Sequence, residues 1–395
     1  MSRAGAKKKS SRSSNRRKGG GTPRIDGAFF LSAHGWPYLL VPFIPVAVAL
    51  ELAHSSATLV FVCSALGIIP TAALMGRATE ELAARSGPGV GGLLNVTFGN
   101  APELIIALFA LGAGLQEVVK ASLIGSVLGN ILLVLGASML IGGLKTRKLT
   151  QKFDRTAANI QSLMLFLAMG ALVMPAVYEL AQGTGLPRVG LENLRYDSTV
   201  EGLSLAVAVV LIVTYLLGLL FSLRTHRDIF NPVAEEESAD TWGWSVRGSV
   251  IALAIAGVAV GVMSEILVGS ISSASESIGI SEFFIGVIVV AIVGNAAEHW
   301  VAVLFAMKDK MDLSVNISIG SSTQIALFVA PVLVLCSFFL GPFPMPLVFN
   351  GFELAGAILA ILAAYQVTKE GESTWFEGAQ LLALYLVLAI VFFVA

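Results

Sequence analysis

Apolar residues in this chain come in long runs separated by short polar breaks, and the runs have the length of membrane-crossing helices. The pattern predicts eleven spans, near 38–54, 57–76, 89–113, 121–143, 157–181, 200–222, 246–270, 283–307, 314–340, 347–366 and 377–395. Each approaches the ~20 residues that a helix needs to cross the hydrocarbon core. No segment alternates apolar and polar residues at period two, which excludes a membrane β-barrel. The third, eighth and ninth runs are rich in Gly or carry polar residues, as helices packed inside a bundle do.

Composition narrows the class further. The chain has 395 residues, 56% of them hydrophobic and only 13% charged, against about 25% charged in a soluble globular domain. Too little polar side chain is present to cover a water-facing surface of this size. Disorder, a coiled coil and a disulfide scaffold are excluded by the same figures. Cys63 and Cys336 stand alone inside apolar runs and read as small core residues. The expected fold is an all-α, multi-pass integral membrane protein.

Charge gives the orientation. The first 24 residues hold nine Lys or Arg and no acid, which reads as a disordered basic cytoplasmic tail covering 1–37. No small-residue cleavage site follows a short apolar core, so a secretory signal is not expected. A nucleic-acid patch makes no sense ahead of so many spans. With the tail inside, the loops that follow on its side hold Arg77, Arg85, Lys145, Arg147, Lys148, Lys152, Arg155, Arg224, Arg227, Arg247, Lys308, Lys310 and Lys369. The other side holds Lys120, Arg188 and Arg195. Twenty-two of the 25 basic residues thus fall on one side, which supports eleven spans with the tail inside and the C-terminus outside.

Two segments repeat at a constant offset of 195. Gly99-Asn100-Ala101-Pro102-Glu103 matches Gly294-Asn295-Ala296-Ala297-Glu298, and Ile124-Gly125-Ser126 matches Ile319-Gly320-Ser321 without a gap. Ser86 and Gly91 likewise match Ser281 and Gly286. The implied unit is five spans. The organisation expected is an extra first helix (38–56), a first five-helix repeat (57–222), an acidic cytoplasmic loop (223–245) and a second repeat (246–395). Five is odd, so the second copy enters the membrane from the opposite side. Inverted repeats of this kind build secondary transporters, with the substrate site near the midplane where the repeats meet.

The repeated motifs also carry the chemistry. Burying an ionised carboxylate at the bilayer centre costs about 2.5–3.5 kcal/mol. Two carboxylates at equivalent positions, Glu103 and Glu298, are therefore poor packing residues and good ligands. Asn100 and Asn295 sit three residues before them, on the same helix face. Pro102 cannot donate to the carbonyl of Phe98 and its ring pushes that carbonyl aside, and Gly99 eases the bend. In the second copy Ala297 replaces Pro102, so a break there rests on Gly294 alone. Freed carbonyls with Asn and Glu oxygens form a hard donor set that suits Ca²⁺, which takes six to eight oxygens. In the following spans Ser321 and Gln324 are favoured as site residues. Ser126 and Asn130 read equally as helix-packing residues. His299 follows Glu298 and either relays protons or is a satisfied polar residue between helices. No zinc-ligand spacing, phosphate-binding loop or catalytic triad is present, and no cofactor or enzymatic activity is expected.

The motifs GNAPE and GNAAEH, followed by GSVLGN and GSSTQ, resemble the paired alpha-repeats of the cation/proton exchanger branch of the calcium/cation antiporter superfamily, over residues 38–395. The sodium/calcium exchangers of that superfamily carry Thr-Ser where this chain has Asn100-Ala101 and Asn295-Ala296, so the resemblance points to protons rather than sodium. It implies that Glu103 and Glu298 bind Ca²⁺ and take the protons, with Ser321 and Gln324 nearby. It also implies a regulatory or Ca²⁺-concentrating role for Glu235, Glu236, Glu237 and Asp240, which as residues read equally as a solvated loop. The second and seventh spans resemble helices that slide during alternating access. Glu80 and Glu81 end the former and Glu265 lies in the latter, and Glu51, Glu179 and Glu353 read as cavity-edge or interface residues.

The function expected is a secondary transporter exchanging Ca²⁺ for H⁺, with both ions as substrates and the bilayer as surroundings. A Na⁺/H⁺, K⁺/H⁺ or Mn²⁺/H⁺ antiporter on the same scaffold, or a cation channel, are the alternatives. The host membrane is the cell (inner) membrane in a bacterium and a vacuolar or organellar one in a eukaryote. No nucleic-acid partner is expected, and a homo-oligomer is compatible with the pattern.

Overall fold

The structure, a computed structural model, describes residue 29 and residues 35–86, 88–190, 196–225 and 242–395. The Lys and Arg residues of the tail and the acids Glu235, Glu236, Glu237 and Asp240 lie outside these. The described chain is almost wholly helical: α1 (Trp36–Leu52), α2 (Ala57–Ala83), α3 (Pro88–Phe98), α4 (Ala101–Gly112), α5 (Gln116–Thr146), α6 (Arg155–Gln182), α7 (Ser198–Thr225), α8 (Val246–Ile278), α9 (Glu282–Met307), α10 (Met311–Ser337), α11 (Gly351–Thr368) and α12 (Trp375–Val394). Among the described residues, nine of these are long and apolar enough to cross a membrane, and α1 and α4 are shorter apolar helices. Large apolar side chains such as Leu167, Leu217, Val258 and Ile390 point outward and are exposed. On a soluble protein such a surface would be a liability; here it matches the bilayer. The molecule is a multi-pass membrane protein.

Polar residues at the breaks set the helix ends. Ser56, Asp154, Asp197 and Ser245 each accept a backbone N–H in the first turn of α2, α6, α7 and α8. Asn350 with Glu353, and Thr374 with Glu377, close reciprocal capping boxes on α11 and α12. The third predicted span is two helices, α3 and α4, parted by a turn at Gly99-Asn100. Pro102 lies in the first turn of α4, where its missing N–H costs nothing.

The loops gather on two faces. On one, Lys148 pairs with Asp309, Asp312 accepts the N–H of Asp154, and β1 (Gln151–Lys152) lies antiparallel to β2 (Glu372–Ser373). On the other, Glu117 accepts the N–H of Gly190 at 2.9 Å, while Gln116 and Lys120 donate to the carbonyls of Phe343 and Val348 at 2.8 and 3.0 Å. The segment 339–350 is not helical, although the apolar pattern starts a span at 347. Pro342, Pro344 and Pro346 hold it extended, and its deepest residues, Leu347, Val348 and Phe349, are buried. Gln116, Lys120, Ser337 and Ser204 bond its backbone, which an extended stretch in this setting requires.

α2 and α8 pack along each other. Thr58 and Ser277 join them at one end through a 2.5 Å hydrogen bond. At the other end Glu81, fully buried, pairs with Arg77 and Arg85 and accepts the backbone N–H groups of Trp242 and Trp244 just ahead of α8. Trp242 covers the Arg77 guanidinium with its ring.

Candidate functional site: the crossing of the two Asn-Glu motifs

The two motifs meet where α4 and α9 cross beside α5 and α10. The crossing is reciprocal. A Cβ placed on Gly99 would lie 3.6 Å from Glu298 Oε1, and one on Gly294 would lie 3.3 Å from Glu103 Cγ. Each glycine thus faces the glutamate side chain of the other motif. The amides cross over in the same way. Ser321 of α10 donates to Asn100 Oδ1 at 3.0 Å, and Asn295 Nδ2 donates to Ser126 of α5 at 3.2 Å. Ser126 and Ser321 are themselves repeat partners, 195 residues apart.

The two carboxylates are held differently. Glu298 accepts from Ser321 at 3.1 Å, and Asn100 Nδ2 donates to Gln324 Oε1 at 2.5 Å, so Glu298, Ser321, Asn100 and Gln324 form one network. Glu103 Oε2 is shielded from solvent and has no donor among the described residues, and neither does Asn295 Oδ1. A small cavity opens beside Glu103, lined by Ser122, Ser126 and apolar residues that include Ile106 and Val290. A bare carboxylate oxygen beside such a cavity is what a hard cation would use. Among the described residues, no three His, Cys, Asp or Glu side chains converge. The donors here are two carboxylates supplemented by amide and hydroxyl oxygens.

His299 faces away from this network: its Nε2 lies 3.0 Å from Asn130 Oδ1 on α5. Gly99 sits at the α3–α4 break, with Pro102 just beyond it. Gly294 lies inside unbroken helix, so the break expected there is absent. The reason is Ala297, which keeps the N–H that Pro102 lacks. Instead α9 carries a π-helical stretch upstream, at Ile285–Val290. Similar stretches occupy Gly129–Val134 in α5 and Ile325–Val329 in α10, and their ends Val134 and Val329 are 195 residues apart. π-Helical turns of this kind are frequent at functional sites.

The sequence reading missed how α5 reaches the site. A Cβ on Gly125 would lie 2.0 Å from the carbonyl oxygen of Val287, so α5 touches the π-helical part of α9 backbone to backbone. Gly286 shows the reverse contact, 2.9 Å from the Val118 oxygen. The repeat of Gly91 at Gly286 and the Gly-Ser motif were the available signals. Ser126 and Asn130, left open between packing and site, bond Asn295 and His299. Glu265 and Glu51 are exposed, whereas Glu179 and Glu353 are buried away from the crossing.

The family model described as sodium/calcium exchanger protein matches residues 56–224 and 248–394. The chain is 44% identical over 375 residues to a Ca²⁺/H⁺ antiporter of a Synechocystis species, covering 90% of this chain and 96% of that protein. It is 39% identical over 363 residues to vacuolar cation/proton exchanger 2 of Oryza sativa subsp. japonica, covering 90% and 81%. Among solved structures, native YfkE superposes with a TM-score of 0.75 at 41% identity, covering 91% of this chain and 100% of YfkE. An H⁺/Ca²⁺ exchanger CAX, at 16% identity, shares the fold with a TM-score of 0.68, covering 92% and 93%. The chain belongs to the sodium/calcium exchanger protein family and, within the calcium/cation antiporter superfamily, to its cation/proton (Ca²⁺/H⁺) exchanger branch.

Proposed function

We propose that this protein exchanges Ca²⁺ for H⁺ by alternating access, with Glu103 and Glu298 binding the cation or protons in competition. The observation that carries this is the reciprocal crossing of the motifs, which leaves Glu103 Oε2, beside a small cavity, and Asn295 Oδ1 without donors among the described residues. An empty, doubly ionised pair is costly in this setting. One Ca²⁺ or two protons bring it to zero charge, so only the loaded forms cross between inward- and outward-open states. Asn100, Asn295, Ser321 and Gln324 supply further oxygens to the cation. The name of the Synechocystis relative supports the substrate pair, and that of the rice relative supports exchange of a cation for protons.

The scaffold for this reading has eleven spans, with α3 and α4 together making the third. The repeats are 57–222 and 246–395, inverted about the crossing, and the face bearing β1 and β2 is cytoplasmic. α2 and α8, clasped at both ends, are the pair that moves. The test is Glu103→Gln and Glu298→Gln, each reconstituted in proteoliposomes. Gln keeps the shape but carries no charge and does not titrate. Each variant should insert and fold, yet lose exchange. Retention of most transport by either would remove that residue from the coupling site. Competing Na⁺, K⁺ and Mn²⁺ in the same vesicles separate the alternative antiporters.

A further inference from the structure

We propose that a file of buried hydroxyls at the junction of α5, α9 and α10 conducts protons between the cytoplasmic face and the glutamate pair, apart from the cation's route. The proposal rests on the Ca²⁺/H⁺ reading above and adds a path to it. Five polar atoms there are shielded from solvent and have no partner among the described residues: Asn130 Nδ2, Ser138 Oγ, Thr146 Oγ1, Ser314 Oγ and Ser318 Oγ. Ser138, Ser314 and Ser318 have no exposed surface at all. Many buried serines in this protein donate to a carbonyl one turn back, as Ser264 does to Val260 and Ser322 to Ser318. These three do not. An unmet buried hydroxyl costs about 1–3 kcal/mol, so such groups are normally matched by ordered water.

Helix geometry puts the hydroxyls in line. The three helices pack against one another. A Cβ on Gly142 of α5 would lie 2.9 Å from Ala306 of α9. Ser138 and Thr146 lie one turn to either side of Gly142, on that same face. On α10, Ser321 reaches Glu298 at 3.1 Å. Ser318 and Ser314 follow it at i−3 and i−7, also on one face. At the level of the glutamates, Asn130 bonds His299. The file therefore runs from Asn130 and Ser321 down to Thr146, beside the loop whose Lys148 pairs with Asp309. The other half of α5 differs: there Ser122 donates to Val119 and Ser126 accepts from Asn295.

A hydroxyl or water that donates one hydrogen bond and accepts another passes a proton on and is left unchanged. At each step one O–H bond breaks as the next forms, and the net event moves one proton between cytoplasmic water and the carboxylate of Glu298. Neutral hydroxyls in a narrow junction offer no charge to replace the hydration shell of Ca²⁺. The file thus selects protons, while the cation uses the cavity beside Glu103.

The test is the triple variant Ser138→Ala, Ser314→Ala, Ser318→Ala, which removes three oxygens and almost no volume. Two fluxes are measured in proteoliposomes. One is ⁴⁵Ca uptake driven by a pH gradient. The other is ⁴⁵Ca/Ca²⁺ self-exchange at equal pH, which needs no net proton movement. The expected result is driven uptake slowed at least about tenfold with self-exchange unchanged. Equal fluxes to wild type would show that the serines only pack. A parallel loss of both would show a structural role, and either result overturns the proposal. The three single variants are run beside the triple, so a triple that fails to fold still leaves three tests, each expected to slow driven uptake alone. Wild-type protein without gradient-driven uptake would instead remove the Ca²⁺/H⁺ reading beneath the proposal, a failure distinct from the others.

Discussion

Gly125 and Gly320 occupy the same place in the two repeats, yet their replacement by Ala should have opposite consequences. At Gly125 the new methyl would lie 2.0 Å from the Val287 oxygen, 2.6 Å from its carbonyl carbon and 2.7 Å from its Cα. All three are backbone atoms, so no rotamer change relieves them. Reaching ordinary contact requires α5 and α9 to part by at least about 1.4 Å. The Asn295 to Ser126 hydrogen bond, now 3.2 Å, would then lie beyond bonding range. Overpacking costs about 1–3 kcal/mol and the lost hydrogen bond about 1 kcal/mol more. At Gly320 the nearest atoms, Asn316 Oδ1 and Gln161 Nε2, would lie 3.8 Å away. There Ala improves helix propensity by about 0.5–1 kcal/mol. Thermal unfolding of the purified variants, with Ca²⁺ binding on the same samples, is the assay. Gly125→Ala should melt lower and bind Ca²⁺ weakly, while Gly320→Ala should melt at or above wild type. Similar melting temperatures for the two would refute the close crossing of α5 and α9.

Other outcomes follow from the same geometry. Ca²⁺ and protons compete for one carboxylate pair, so the apparent Ca²⁺ dissociation constant should rise as pH falls from about 8 to about 5, by up to about tenfold per pH unit for each proton displaced; a flat profile by calorimetry would contradict competition. Glu81→Ala leaves Arg77 and Arg85 without their buried partner and frees the N–H groups of Trp242 and Trp244, and should cost about 3–5 kcal/mol in a denaturant titration; an unchanged midpoint would show that the clasp between α2 and α8 contributes nothing. Cysteines placed at Lys148 and Glu370 should label from the cytoplasmic side and one placed at Arg188 from the other. Labelling of all three from one side would break the proposed topology.

Hydropathy made most of the helical frame legible, because span length is a property of single segments. The break at Gly99-Asn100 was legible for the same reason: Pro102 removes a donor locally. The missing break at Gly294 shows the limit. Ala297 retains its N–H, and glycine alone does not open a helix whose neighbours support it. The extended segment 339–350 was partly read as helix because its apolar residues outweighed the signal of three alternating prolines. The clasp on Glu81 was invisible, since its partners are backbone N–H groups of Trp242 and Trp244. The pairs of the site were legible as residue types at an offset of 195. Which Asn meets which Ser was not, because that depends on how the helices cross, and for α5 with α9 on the close contacts at Gly125 and Gly286.

The central claim is that an inward flow of one ion drives the outward flow of the other through a single site. ⁴⁵Ca uptake into proteoliposomes of the purified protein, with and without an imposed pH gradient, tests it most directly. Vesicles acidic inside should accumulate ⁴⁵Ca against its gradient and lose protons as they do so, and a protonophore that collapses the gradient should stop the accumulation. Uptake that is indifferent to the pH gradient, or that dissipates a Ca²⁺ gradient without moving protons, would contradict exchange and leave a channel as the better account.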